Sequence, residues 1–244
     1  MVGGVGLALL AIPAKITLNV EIRKMAVPTL VIADKNYSSW SLRPFMMLFM
    51  AGIDFDEQMI AFGEPQFSKK VGKISGAKRV PILLHKDRTV WDTMSIMEYI
   101  AETWPKKSIW PKTATARAMA RSASAEIHAG FRDLRSACPM NLRREVKPLK
   151  DGFSAAVLKD VKRIETLWAD CRKAHGKGGP FLFGKFSAAD AMYAPVACRL
   201  HTYAIPVSKA TRTYMDAVLG TEAFQTWLQD SRNETAIVAE DEVD

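Results

Sequence analysis

Blocks of apolar residues with distinct periods succeed one another along this chain, and the periods assign the elements. The unbroken run Thr29-Leu30-Val31-Ile32-Ala33 predicts a buried strand. Leu42, Phe45, Met46, Phe49 and Met50 then recur at helical spacing, predicting a helix from Leu42 to Ala51 with that face toward the sheet. Ser41 is its expected N-cap, Pro44 falls in the first turn, and Gly52 follows as the C-terminal stop. A second strand is expected over Asp56 to Ala61, parallel to the first through the crossover, and a Lys-rich helix over Gln66 to Ile74. Ile82 to Leu84 and Arg88 to Trp91 pair as a hairpin across His85-Lys86-Asp87. A third helix, Met94 to Thr103, turns Ile96, Tyr99 and Ile100 inward.

Beyond Thr103 the strand signal stops. Trp104 to Lys112, with two prolines, reads as a linker, and everything after it is helical in period. Ala116 to Cys138 is expected as one long helix, apolar along Met119, Ala120, Ala123, Ile127, Phe131 and Leu134. A second stripe, Arg117, Arg121, Ser124, His128, Arg132 and Arg135, shares one face. It reads as a solvated basic face at its outer members, with His128 placed to line a cleft. Phe153 to Ala174 carries a core stripe of Val157, Val161, Ile164, Trp168 and Cys171. Ser187 and Asp190 form a capping box opening the next helix, which Pro195 should kink, and helices over Ser208–Leu219 and Glu222–Arg232 precede the acidic end. The expected division is an extension over 1–24, an α/β domain over 25–103, a linker over 104–112, an all-helical domain over 113–232 and an acidic tail over 233–244.

Composition adds bounds. A chain of 244 residues with 48% hydrophobic content can bury a full core, and 25% charged residues is ordinary for a globular protein. The net charge of +8 invites a nucleic-acid reading, but the basic residues are dispersed and no nucleic-acid-binding motif accompanies them. Such a surface equally attracts anionic small molecules. Cys138, Cys171 and Cys198 show no metal-ligand spacing and suit reduced thiols in a cytoplasmic setting. Val2 to Ile12 is apolar and Gly-rich but has no basic residue before it and is too short to span a bilayer; Met25 is a possible alternative start.

The chemistry concentrates in Asn36-Tyr37-Ser38-Ser39-Trp40-Ser41-Leu42-Arg43-Pro44, where a strand hands over to a helix. The free N–H groups of a helix start favour an anion, and a hydroxyl there can donate to a thiolate. A plain capped turn accounts for the same residues. A second stretch, Lys78-Arg79-Val80-Pro81-Ile82-Leu83-Leu84, is followed by Val90-Trp91-Asp92-Thr93-Met94-Ser95-Ile96. Val80, extended ahead of proline, can offer its backbone N–H and C=O to a peptide ligand.

Together these stretches resemble the glutathione S-transferase family, from about Thr29 to Gln229. The resemblance implies a thioredoxin-like domain, with a mixed four-stranded sheet and helices, followed by a C-terminal helical bundle. It implies a cis Val80-Pro81 bond that presents Val80 to glutathione, and an Asp92-Thr93 pair that grips the γ-glutamyl end. Tyr37-Ser38-Ser39-Trp40-Ser41 is similar to the serine-type loop of the zeta class and related bacterial enzymes. Ser38 then matches the catalytic serine, with Ser39 one residue away as the alternative. Lys78 can meet the glycine carboxylate of glutathione or simply be solvated. Relatives carry Cys where this chain has Trp40, which weakens a maleylacetoacetate isomerase reading. The implied activity is addition of the glutathione thiolate to an electrophilic small molecule by a homodimer, with no metal, nucleic acid or membrane. The alternatives are a glutathione-dependent isomerase and a non-catalytic interaction module on the same fold.

Overall fold

The computed structural model describes residues 27–64 and 66–244, so the expected extension over 1–24 and Met25 lie outside the described residues. Four strands form one mixed sheet: β1 (Thr29–Ile32), β2 (Asp56–Met59), β3 (Ile82–His85) and β4 (Arg88–Val90), in the order β2-β1-β3-β4. β1 runs parallel to β2, with Thr29 opposite Asp56, and antiparallel to β3, with Leu30 opposite Leu83. β3 and β4 close the hairpin, Leu83 facing Val90. Alternation along β1 splits its side chains between two faces. Leu30 and Ile32 enter the large core, whereas Val31 joins Ile60, Val71 and Ile82 in a smaller cluster. The β2 edge is exposed and reads Asp-Glu-Gln-Met, a polar edge that discourages further strand pairing.

The helices are α1 (Ser39–Met50), α2 (Phe67–Ile74), α3 (Thr93–Thr103), α4 (Ala114–Ala129), α5 (Arg132–Ala137), α6 (Ala155–His175), α7 (Ala188–Thr202), α8 (Lys209–Leu219) and α9 (Glu222–Arg232). The α/β portion followed by a helical portion is the expected fold class. α7 is buried at every residue except His201 and packs against α1, α4 and α8, so the large core runs unbroken from the sheet into the helical half. The segment expected as a linker is itself packed, with Ile109 and Trp110 buried. Among the described residues no helix is long and apolar enough to cross a membrane.

Two helices depart from expectation. α1 begins at Ser39, not Leu42, and its N-cap is Ser38, not Ser41. The Ser38 carbonyl accepts the Leu42 N–H at 3.1 Å, and its Oγ accepts the Ser41 N–H at 3.4 Å. Pro44 consequently sits inside the helix, where it cannot donate to the Trp40 carbonyl. The Thr93 hydroxyl at the start of α3 donates to that carbonyl instead, at 3.4 Å. The second departure is the long helix over 116–138, which breaks after Ala129. Gly130 is extended there and Phe131 adopts a left-handed φ of 55° before α5 resumes. A β-carbon at position 130 would lie 2.8 Å from the Glu126 carbonyl, so the turn selects glycine. The apolar period carries across the break because Ile127 before it and Phe131 and Leu134 after it are all buried.

Candidate functional site

A cavity of about 560 Å³ opens where the start of α1, the approach to β3 and the α4–α5 turn meet. That is within the usual range of small-molecule sites, about 300–1,000 Å³. Its wall includes Ser38, Ser39, Lys78 and Val80, four of the residues singled out from the sequence. Ser38 and Ser39 are nearly buried and differ in their bonding. The Ser38 Oγ donates to the Ser41 Oγ at 2.7 Å, and Ser41 in turn accepts from the Ala33 N–H at 3.4 Å. The Ser39 hydroxyl and the Trp40 N–H have no partner among the described residues, which leaves a donor pair at the mouth of a twelve-residue helix. That is an anion-receiving arrangement.

Val80–Pro81 is cis, as the resemblance implied. Pro81 itself is buried, and Val80 closes no backbone hydrogen bond onto other described residues. Asp92 and Thr93 do not line the cavity. Thr93 is fully buried, its hydroxyl committed to Trp40, so its side chain joins the starts of α1 and α3. Asp92 caps α3 by accepting the Met94 N–H at 3.2 Å and pairs with His128 Nε2 at 3.3 Å. His128 also meets the Trp40 ring edge-on at 5.2 Å, so it borders the cleft through that contact.

Sequence reasoning missed much of the opposite wall. Arg132, Arg135 and Arg199 line it, with Asp241 from the C-terminal segment. Arg132 and Arg135 had been noticed only as outer members of a basic stripe, and nothing in the pattern brought Arg199 or Asp241 to them. Two guanidinium groups approach the Trp40 ring, Arg43 at 4.0 Å and Arg135 at 5.0 Å from its centroid. Arg43 is buried, donates to the Met192 carbonyl at 3.1 Å, and leaves its Nη1 without a partner. Burial and then the neighbouring Arg199 and Arg135 lower its pKa. Burial, with Arg135 beside it, brings Arg199 down to about 10. The three thiols do not belong to the site: burial pushes Cys138 up to about 11 and both Cys171 and Cys198 up to about 12.

Residues 37–103 match the glutathione S-transferase N-terminal domain family. That stretch is a glutathione S-transferase N-terminal domain. The chain is similar to the maleylacetoacetate isomerase of Rattus norvegicus, 25% identical over 214 residues, which cover 81% of this chain and 90% of that one. It is also similar to glutathione S-transferase U16 of Arabidopsis thaliana, 33% identical over 89 residues. That match covers 35% of this chain and only 37% of the plant protein. Among solved structures, a glutathione transferase homologue from Burkholderia with bound glutathione superimposes with a TM-score of 0.63 at 20% identity. The superposition covers 85% of this chain and 99% of the bacterial one, and at that identity the likeness is one of fold.

Proposed function

We propose that this chain is a glutathione transferase of the serine type, which binds glutathione in the cavity at the start of α1 and adds its thiolate to an electrophilic small molecule. The observation that carries the reading is the convergence of Ser38, Ser39, the unpartnered Trp40 N–H and Val80 on one cavity wall. Glutathione lies with its cysteinyl backbone along Val80 and its sulfur at the serines, and Lys78 meets its glycine carboxylate. Asp92, exposed at the start of α3 and outside the cavity wall, holds the γ-glutamyl end in this reading. Thr93 contributes by fixing the two helix starts relative to each other.

Chemically, the site has one task at this stage, to keep the sulfur ionised. A cysteine thiol titrates near about 8.5, and depressing that by roughly two units stabilises the thiolate by about 2.7 kcal/mol. One hydrogen bond to a charged group supplies about 1.5–3 kcal/mol and a helix start about 0.3–1 kcal/mol. A serine hydroxyl at this helix mouth therefore suffices without a metal.

Retention on immobilised glutathione, followed by thiol consumption with a panel of electrophiles, tests the reading. Specific elution by free glutathione and turnover with at least one electrophile are expected. Failure of both leaves an interaction module on the same fold. The protein acts as a cytoplasmic homodimer in this reading, and light scattering at micromolar concentration should give the mass of two chains. A monomer mass there would remove the dimer from the proposal.

A further inference from the structure

The helical wall of the cavity is an unusual place to find uncompensated charge. Arg132, Arg135 and Arg199 line it, and Arg43 lies behind Trp40, yet none of the four has a carboxylate within ion-pair distance among the described residues. Arg199 and Arg43 are buried as well. Buried cations in folded proteins are ordinarily paired, because desolvation penalises an isolated charge. Two arginines elsewhere do show such pairing: Arg121 is held by Glu98 at 2.7 Å and Arg163 by Glu126 at 2.7 Å. Where the cleft arginines bond they donate to carbonyls, Arg199 to Cys138 at 2.8 Å and Pro195 at 3.2 Å and Arg135 to Gly130 at 3.2 Å, so their charge meets no carboxylate among the described residues.

One acid does approach them. Asp241 lines the same cavity, and it is brought there by a C-terminal segment that is tied down along its length. Glu234 accepts the Lys35 and Asn36 N–H groups at 2.7 and 2.9 Å, immediately before the serine loop. Arg143 donates to the Glu234 and Ala236 carbonyls and, at 3.1 Å, to the Tyr37 hydroxyl, which itself donates to the Glu242 carboxylate. Arg144 holds the Val243 carbonyl at 3.1 Å. Residues 234–243 therefore form a strap across the serine loop. Asp241 is in the field of Arg199 but makes no hydrogen bond or ion pair with it.

We propose that the arginine-lined half of the cleft is a subsite for an anionic group on the second substrate, a carboxylate-bearing electrophile, and that Asp241 on the C-terminal strap is the internal acid such a substrate competes with. This rests on the glutathione transferase reading for the reaction but not for the binding. With an aryl halide, the thiolate sulfur bonds to the ring carbon, the carbon–halogen bond breaks and the halide leaves with its electron pair. The thiol proton goes to solvent. The arginines take no part in those bond changes; they hold the carboxylate and so place the ring against the serine side of the cavity.

Binding and turnover are separated by two matched pairs of probes. For binding, calorimetry on the full chain compares 3,5-dinitrobenzoate with uncharged 3,5-dinitrobenzamide, with and without S-methylglutathione. For turnover, the 4-chloro derivatives of the same two compounds are offered with glutathione, each rate corrected for the uncatalysed reaction. The benzoate is expected to bind at least tenfold more tightly than the amide and to show the larger kcat/KM. Arg132→Gln and Arg135→Gln should each cut the benzoate-to-amide ratio at least threefold. Arg132 is exposed and its side chain makes no hydrogen bond or ion pair among the described residues, so its substitution tests the idea with little risk to folding. Asp241→Asn should raise benzoate affinity about threefold by removing the competitor. Equal binding of benzoate and amide, or a ratio unmoved by Arg132→Gln, overturns the subsite; unchanged benzoate affinity in Asp241→Asn overturns the part given to the strap. Tight benzoate binding without turnover of either chloro compound keeps the subsite and discards the transferase reading. Equal turnover of both does the reverse.

Discussion

Asp190→Ala is expected to destabilise the fold by about 3 kcal/mol or more, the largest effect of any single change named here. The Asp190 carboxylate is fully buried and accepts four hydrogen bonds. They come from the Leu182 N–H at 2.9 Å, the Ser187 N–H at 2.9 Å, the Ser187 hydroxyl at 3.0 Å and the Tyr214 hydroxyl at 3.1 Å. Alanine leaves two buried backbone donors unanswered, each at about 1–3 kcal/mol, and loosens the start of α7 around which the helical half is packed. Burial works in the other direction, raising the carboxyl to about 6 from 3.8 against the pull of its four donors. Because the folded value lies above the unfolded one, the native state holds the proton more firmly between them. Stability from this group therefore declines as pH rises from about 4 to about 6, and that slope should vanish in Asp190→Asn. Urea unfolding across that pH range measures both effects. A cost below about 1 kcal/mol for Asp190→Ala would mean that the box is ornamental to α7.

The same residue shows what a single sequence can convey. Ser187 and Asp190 stand three apart ahead of an apolar run, so the helix start was legible from local chemistry alone. The strands and most helices were legible for the same reason, since periods of 2 and 3.6 are properties of short windows. What escaped was set by backbone geometry at one residue or by contacts between distant segments. Gly130 interrupts a helix whose apolar spacing continues through the break, so periodicity was blind to it. The start of α1 slipped by one turn because three serines compete to cap it, and the choice depends on the Thr93 hydroxyl reaching the carbonyl that Pro44 leaves free.

The site divides along the same line. Ser38, Ser39 and Val80 lie beside turns whose residue types announce them, and they do meet at one cavity. The opposite wall draws Arg132 and Arg135 from α5, Arg199 from α7 and Asp241 from the chain end. No local pattern links those three segments. The stripe containing Arg132 and Arg135 was visible, but only the α4–α5 break turns it into the cleft. Asp92 and Thr93 illustrate the converse: the pair was recognised, yet Thr93 serves the scaffold, its hydroxyl bonded to Trp40.

Ser38→Ala should lower turnover about tenfold to a hundredfold while changing glutathione affinity little near neutral pH. The fold range is the loss of one hydrogen bond to a charged sulfur, about 1.5–3 kcal/mol. Without ligand, the Ser38 hydroxyl donates to the Ser41 Oγ at 2.7 Å, so it must swing toward the sulfur when the thiolate arrives. The backbone at Val80 and the donors at the start of α1 remain in the variant and keep most of the affinity. Ser38 is also the N-cap of α1, and its loss should cost about 1 kcal/mol of stability. That cost does not mimic the catalytic one, because the ultraviolet thiolate absorbance of bound glutathione followed against pH reads the sulfur directly. Its midpoint should rise in Ser38→Ala and stay in place in Ser41→Ala, which disturbs the same cap network without removing the proposed donor. Ser39→Ala should do much less than Ser38→Ala. The reverse order would move the role to the Ser39 hydroxyl, which has no partner among the described residues. An unchanged titration and full activity in both variants would leave the serines as a helix cap and nothing more.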